Sequence, residues 1–208
     1  MMRMKQLLAP VALAAVMFVP ASGEAQRVKT ARVPRTEPAE WTEAQKAMLG
    51  SRDQGDKTAP IWKTCLRNND LCKAWMPWTS YLLGKIAVPP RDKEMLILRT
   101  AWLSKSDYVW AGHYEGGKRA GMSEEEILRV TKGPDAPGWS AHDAALLRAA
   151  DELHKDQFVS DATWKQLDEK YDDKQLLETV FIVGQYVQFS MFTNSAGIQL
   201  DHGPKMPK

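Results

Sequence analysis

His113 and Glu94 have the residue types and the spacing needed for acid–base chemistry. Apolar periodicity predicts one helix over residues 91–103 and a second over 106–120, and the short link between them makes an antiparallel hairpin. Glu94 comes early in this hairpin and His113 comes late, so both side chains face the same end. A buried carboxylate needs a partner or a proton, so the two residues could form a general acid–base couple with pKa values near neutrality.

A structural interpretation of the same two residues stays open. Histidine on an apolar helix face is often a satisfied core residue, and Glu94 could pair with Arg91, Arg99 or Lys118 instead. A metal site is not expected, because the other histidines lack ligand spacing. At 100° per residue, Ser106, Val109, Trp110, Gly117 and Ala120 all project within about 60° of His113.

The composition of the 208-residue chain indicates a globular protein, with 44% hydrophobic and 26% charged residues. Its 28 Lys and Arg residues and 26 Asp and Glu residues are interspersed, and the formal net charge is only +2. A nucleic-acid-binding surface normally concentrates positive charge on one face. We therefore expect no nucleic-acid partner.

Residues 1–25 have the pattern of a secretory signal peptide, with Arg3 and Lys5 before an apolar run and small residues at its exit. The apolar run, residues 7–19, is too short to span a bilayer, so we expect no membrane anchor after cleavage. This predicts a periplasmic or secreted protein. The rest divides into an extended arm, 26–40, and one helical domain, 41–208.

Cys65 and Cys72 are the only cysteines, and an oxidising compartment favours a disulfide between them. On one unbroken helix they would be about 10.5 Å apart, beyond disulfide reach, so the helix must break. The turn-prone residues 68–70 supply that break. A redox-active pair is the alternative, although the spacing lacks the proximity of a Cys-X-X-Cys motif.

The remaining periodicity predicts an all-α single-domain bundle around the central hairpin. Ser123 and Glu126 form a capping-box pattern that marks the next helix start. Polar residues interrupt the last apolar helix and argue against a membrane span. The other predicted helices cover residues 41–49, 61–66, 75–86, 140–156, 161–170 and 174–194.

Three ordered segments, residues 91–101, 106–113 and 120–127, resemble the carboxymuconolactone decarboxylase and alkylhydroperoxidase D-like family. Residues 151–153 and 186–197 are similar to its C-terminal half. The resemblance implies an all-helical homo-oligomer, a dimer, trimer or hexamer. It also implies relay roles for Glu94, Tyr108 and His113, while Ser106 and Val109 occupy the positions of the peroxidase branch's two cysteines. No thiol cycle can run at those positions.

The resemblance to the decarboxylase branch implies a cofactor-free lyase acting on a small aromatic-derived or lactone acid. His113, oriented by Glu94, would move the proton, and Tyr108 or Ser106 would stabilise an oxyanion. Trp110 would form an apolar wall, and Arg99 would bind a carboxylate or make a structural ion pair. Two alternatives remain open: a peroxide-linked antioxidant protein and a non-catalytic helical binding or scaffold protein.

Overall fold

The computed structural model describes residues 28–207, and within them it contains α-helices, short 3₁₀ turns and no strand. The all-α prediction is confirmed. The predicted signal peptide, residues 1–25, lies outside the described residues. The helices are α1 (Glu43–Leu49), α2 (Pro60–Cys65), α3 (Asn69–Gly84), α4 (Pro90–Leu103), α5 (Asp107–Arg119), α6 (Glu124–Arg129), α7 (Ala141–Asp156), α8 (Asp161–Asp168) and α9 (Asp173–Ala196).

Side-chain caps fix the starts of the helices that build the core. The Ser106 hydroxyl accepts from the backbone N–H of Val109 at the start of α5. Ser123 and Glu126 form the predicted capping box at the start of α6. Such caps satisfy amide groups that have no partner inside the helix, and they set the register of each helical face.

Helix α4 lies at the centre of the molecule and packs against α5, α7 and α9. Met95, Leu96, Ile97 and Leu98 are consecutive, and none has exposed surface. A helix that is buried all round needs apolar residues on every face, which explains this continuous run. Helix α9 buries one side against the core and exposes the other, and no helix among residues 28–207 is both long and apolar enough to cross a membrane.

The Cys65–Cys72 disulfide joins the end of α2 to the first turns of α3, with the two Cα atoms 5.5 Å apart. Helix α3 begins at Asn69, because the Asn68 side chain caps it by accepting from Leu71 N. The break therefore lies one or two residues before the predicted position, residues 68–70. It brings α2 and α3 together as two adjoining walls of a cavity.

The described part of the N-terminal arm is tied to the helical core. The Arg32 and Val33 amides both donate to the carbonyl of Ala196, at the end of α9. Farther along, the Thr36 amide and hydroxyl both donate to the Lys63 carbonyl in α2. These bonds hold the arm between the two helices.

Candidate active site

A cavity of about 460 Å³ lies between the central hairpin, α2, α3 and α9. Helix α5 contributes one of its faces, and α4 contributes Lys93 and Glu94 at its first turns. Trp62 and Phe189 supply aromatic wall, while His113 and Gln185 supply polar groups. A largely apolar cleft with a few convergent polar groups is the usual form of a small-molecule site.

His113 and Glu94 are in contact in this cavity, with His113 Nδ1 2.8 Å from Glu94 Oε2. An ionised carboxylate can only accept, so Nδ1 carries the hydrogen in this pair. The second ring nitrogen, Nε2, has no hydrogen-bond partner among the described residues. In the neutral ring Nε2 therefore holds a lone pair that is available to a ligand, and Glu94 fixes the tautomer.

Glycine makes room for the Glu94 carboxylate on α5. A Cβ atom at Gly116 would lie 2.8 Å from Glu94 Oε2, closer than packed atoms approach. On the other side, Lys93 Nζ lies 4.0 Å from Glu94 Oε1 and donates to the Leu83 carbonyl. This cation offsets the cost of placing a carboxylate with only 10% side-chain exposure.

Two tyrosines line the same cavity as the histidine. The Tyr108 hydroxyl accepts from the Ile61 amide at 3.1 Å, and burial raises its pKa to about 12. The Tyr186 ring meets the His113 ring edge-on, with centroids 4.8 Å apart. Burial, and secondarily the charge of Glu94, raise the pKa of Tyr186. Both phenols therefore stay protonated at neutral pH and can donate hydrogen bonds.

Three sequence-predicted substrate-binding residues are not in the cavity lining. The Arg99 guanidinium makes a two-pronged contact with Asp151 and donates to the carbonyls of Val130 and Thr131. Its donors are thus committed to holding α7 and the turn after α6 against α4. The expectation that Arg99 binds a substrate carboxylate gives way to its structural alternative.

Ser106 and Trp110 also serve the core instead of the cavity. Ser106 has no exposed surface, caps α5 and lies 3.1 Å from the Thr193 hydroxyl. Trp110 is fully buried, and its ring faces Trp102 with centroids 6.4 Å apart. We therefore withdraw the oxyanion role of Ser106 and the wall role of Trp110.

Helical geometry explains why the predicted stripe on α5 was only partly correct. His113 lies in the middle of that stripe, where the core-facing side that carries Trp110 meets the cavity-facing side that carries Val109. The cavity-facing side continues through Val109, Gly116, Gly112 and Tyr108, each displaced from His113 in the direction away from Trp110. A stripe centred on the most apolar positions therefore finds the core and only the border of the site.

Sequence reasoning missed the contributions of Lys93, Gln185 and Tyr186. Gln185 interrupts an apolar run, which was a usable signal for a buried polar contact. Tyr186 was singled out in the sequence only as part of residues 186–197, which resemble the C-terminal half of the family. Within residues 28–207, no group of three or more His, Cys, Asp or Glu side chains is arranged to hold a metal ion.

Comparison with protein families gives a match over residues 70–152 to the model of the carboxymuconolactone decarboxylase family. The matched segment includes both Glu94 and His113. Comparison with curated proteins gives no match.

Several solved structures share the fold. The alkylhydroperoxidase AhpD core of a peroxidase-related protein from Ralstonia eutropha JMP134 superposes with a TM-score of 0.71 and 16% identity, covering 82% of this chain and 92% of that one. A peroxidase-related protein from Silicibacter sp. TM1040 gives 0.69 and 13%, with coverages of 84% and 94%. The debrominase Bmp8 bound to 2,3,4-tribromopyrrole gives 0.67 and 12%, with coverages of 83% and 93%. At these identities the likeness concerns the fold alone.

Proposed function

We propose that this chain, whose residues 70–152 match the model of the carboxymuconolactone decarboxylase family, is a cofactor-free lyase acting on a small aromatic-derived or lactone acid. The observation that carries the proposal is the Glu94–His113 pair, which leaves the His113 Nε2 atom free beside a cavity of about 460 Å³. An oriented imidazole of this kind is suited to proton transfer at carbon.

In the proposed reaction, the bond between the reacting carbon and the carboxylate breaks and carbon dioxide leaves. The bond electrons move into a conjugated carbonyl group and form an enolate. The protonated His113 ring then delivers its Nε2 proton to the carbon, and Glu94 stabilises the imidazolium before that transfer. The site consumes one proton per turnover, which the neutral ring regains from water. Tyr108, which lines the same cavity, would donate from its hydroxyl to the enolate oxygen.

The charges around the cavity favour an anionic substrate. Lys93 and Arg119 line it together with one carboxylate, that of Glu94. Glu94 is hydrogen-bonded to His113 and lies 4.0 Å from Lys93, so these two cavity residues largely offset each other's charge. The positive charge of Arg119 is then available to attract a substrate carboxylate. The aromatic rings of Trp62 and Phe189 suit a flat, unsaturated body.

A panel of lactone acids, β-keto acids and aromatic hydroxy acids tests the proposal, with products detected by mass spectrometry. We expect at least one acid to lose carbon dioxide or undergo a related C–C or C–O cleavage. His113→Ala should abolish that product while circular dichroism shows a folded protein. An unaltered rate in the folded His113→Ala variant would exclude the acid–base role.

A peroxide-linked antioxidant activity is the second candidate, suggested by the family resemblance. Cys65 and Cys72 are bonded to each other and are almost completely buried, and neither lines the cavity. Replacing both by serine tests a thiol mechanism directly. Peroxide consumption that disappears in this folded double variant would favour the antioxidant function over the lyase, whereas lyase turnover that persists would support our proposal.

The proposed enzyme acts outside the cytoplasm as a homo-oligomer after removal of residues 1–25. This part of the proposal depends on the signal-like sequence and on the family resemblance. N-terminal sequencing of protein secreted from an expression host, together with light scattering, tests both points. A mature chain that retains residues 1–25, or a monomer at micromolar concentration, would contradict them.

A further inference from the structure

The exposed side of α9 carries no charge along most of its length. After the buried Glu178, no charged residue occurs in the helix through Ala196. The residues on this exposed side follow one another at alternating intervals of four and three positions: Leu177, Phe181, Gly184, Gln188, Met191 and Ser195. An average interval of about 3.5 residues is typical of the seam between two packed helices. We call this stripe the α9 face.

The large apolar residues of the α9 face are unusually accessible. Leu177, Phe181 and Met191 are 57%, 54% and 63% exposed. A helix that borders water normally turns charged and polar residues to that side. An uncharged side that continues for about five turns and carries three such residues is typical of a surface that another molecule covers.

Helix α3 runs alongside α9 and widens the α9 face into a groove. The rings of Trp75 and Trp78 pack against those of Phe192 and Phe181, with centroids 5.9 and 5.5 Å apart. Two cavities, of about 500 and 260 Å³, lie along this groove. With 24 residues in α9 and 16 in α3, at about 1.5 Å per residue and roughly 10 Å in width, the two helices present about 600 Å². Each partner in a small dimer interface of standard size buries about that area.

The α9 face is complementary to a second copy of itself in the antiparallel orientation. In a two-fold contact the same patch meets itself, so residues at equal distances from the axis lie opposite one another. Leu177 and Met191 lie seven positions to either side of Gly184. A two-fold axis at Gly184 therefore sets Leu177 opposite Met191 of a second copy. Because nothing lies within 4 Å of the Cβ position of Gly184, no side chain keeps the two helices apart at the axis.

The charges at the two ends of α9 favour the same arrangement. Asp173 lies one turn before Leu177 on the same stripe, and it is exposed at the start of the helix. At the other end, the exposed residue Arg32 is fixed by its amide, which donates to the Ala196 carbonyl. Antiparallel pairing brings the acidic start of each α9 to the basic end of the other copy and opposes the two helix dipoles.

We propose that the α9 face is the contact surface of a two-fold homodimer, in which α9 lies antiparallel to α9 of a second copy with the axis at Gly184. The inference rests on the homo-oligomer proposed above and specifies its surface and symmetry. A second copy is the occupant because both the apolar positions and the end charges are self-complementary, as an isologous interface requires.

Analytical ultracentrifugation of the full chain and two variants tests the surface. The unaltered protein should sediment as a dimer. Phe181→Glu should raise the dissociation constant by about 30-fold or more, because an aromatic anchor is replaced by a charge in both copies. Phe158→Glu is the matched control: Phe158 is 65% exposed in the loop after α7 and lines neither cavity of the groove, so the dimer should persist. Circular dichroism checks that each variant is folded.

A single cysteine at the axis tests the symmetry. The two native cysteines are bonded to each other, so the new thiol of Gly184→Cys should form a disulfide with its counterpart in the second copy under mild oxidation. Phe158→Cys should not cross-link. Arg32→Glu and Asp173→Lys should each weaken the dimer, and the double variant should recover most of the loss because the opposite charges meet again.

The possible outcomes separate this inference from the proposed function. A dimer that is unaffected by Phe181→Glu, or an odd-numbered assembly such as a trimer, would overturn the α9 contact while leaving the homo-oligomer. A monomer whose Phe181 is needed for sedimentation with phosphatidylcholine vesicles would overturn the second copy in favour of a lipid surface. Turnover in the acid panel is measured separately, so a confirmed dimer without any product would support this contact and contradict only the lyase function.

Discussion

Two histidine–carboxylate–tyrosine clusters flank α4, and one of them lines the cavity of the candidate site. In the first, the cavity cluster, Glu94 pairs with His113 and the ring of Tyr186 lies 4.8 Å from the imidazole. In the second, the closed cluster, Asp92 pairs with His142 at 3.1 Å and the rings of His142 and Tyr171 are 4.9 Å apart. The two carboxylates are two positions apart on α4 and therefore point to nearly opposite sides.

The hydrogen bonds of the two clusters are distributed differently. In the closed cluster the Tyr171 hydroxyl donates to Asp92 at 2.6 Å, so its one donor hydrogen is already used. The remaining nitrogen, His142 Nδ1, is buried with no partner among the described residues. In the cavity cluster the tyrosine hydroxyl and the second histidine nitrogen both remain available to a ligand.

The comparison shows that the residue types alone do not make a site. Both clusters orient a histidine with a carboxylate, yet in one the spare donors and acceptors meet solvent-accessible space, whereas in the other they are enclosed. Arg91 reinforces the closed cluster by bridging Glu126 and Asp143, at 2.7 and 2.8 Å. We infer that the closed cluster ties α4, α6 and α7 together and that the cavity cluster is the one that reacts.

Replacing each of the two histidines by glutamine should give the largest difference in kcat between the two clusters. His113→Gln should lower kcat by about 10²- to 10⁴-fold on any acid that the panel shows to react, since it removes the proton-transferring group. His142→Gln should leave kcat within a few-fold and lower the free energy of unfolding by about 1–3 kcal/mol, because a buried carboxylate loses a partner. Steady-state kinetics and urea unfolding of both variants check this pair. Equal loss of activity in the two variants would abolish the distinction between the clusters.

Replacing each carboxylate by its amide should give the same kind of difference in kcat, but a smaller one. Glu94→Gln preserves volume but no longer fixes the His113 tautomer or stabilises the imidazolium, so kcat should fall roughly 10²-fold with little change in KM. Asp92→Asn is the matched control, and it should reduce stability while leaving kcat nearly unchanged. The comparison would be wrong if Asp92→Asn were the more damaging variant for turnover.

The all-α fold could be predicted from the sequence because short, repeated patterns mark where each helix starts and which face it buries. The capping box at Ser123 predicts the start of α6, and the apolar run in α4 predicts a buried helix, each within a few residues. The Glu94–His113 contact also follows from the antiparallel hairpin. Its catalytic role, unlike the contact, stays a prediction that only turnover can test.

Which side chains meet the cavity could not be predicted from the sequence, because this depends on contacts with elements that are distant in the chain. His142 lies at the start of the predicted helix 140–156, where nothing in the sequence indicates a partner, yet folding brings it to Asp92, fifty positions earlier in the chain. Arg99 could equally have bound substrate until α7 placed Asp151 opposite it. Trp110 and His113 share one stripe, and only the packing of α2 and α3 decides which of them meets the cavity.

Gly116 of α5 allows a smaller test of how the cavity cluster is held. A Cβ at Gly116 would displace the Glu94 carboxylate, so Gly116→Ala should lower kcat by about tenfold. The matched control is Gly184→Ala on α9, where nothing lies within 4 Å of the added Cβ. It should leave kcat unchanged and raise stability by up to about 1 kcal/mol. A Gly116→Ala enzyme with full activity would show that the carboxylate position is not critical.

The smallest expected effect is the acid sensitivity of the closed cluster. Burial tends to raise the pKa of Asp92, but hydrogen bonds from His142 and Tyr171 and the charge of Arg91 outweigh it, so the pKa is lowered. The resulting stability is present above the unfolded value, about pH 4, and is lost as pH falls through the lower folded value. Urea unfolding between pH 5 and pH 2 should therefore show a shallower decline in Asp92→Asn than in the unaltered protein. Parallel declines would mean that Asp92 does not contribute this pH dependence, and the closed cluster would then owe its stability to packing and to the Arg91 bridges.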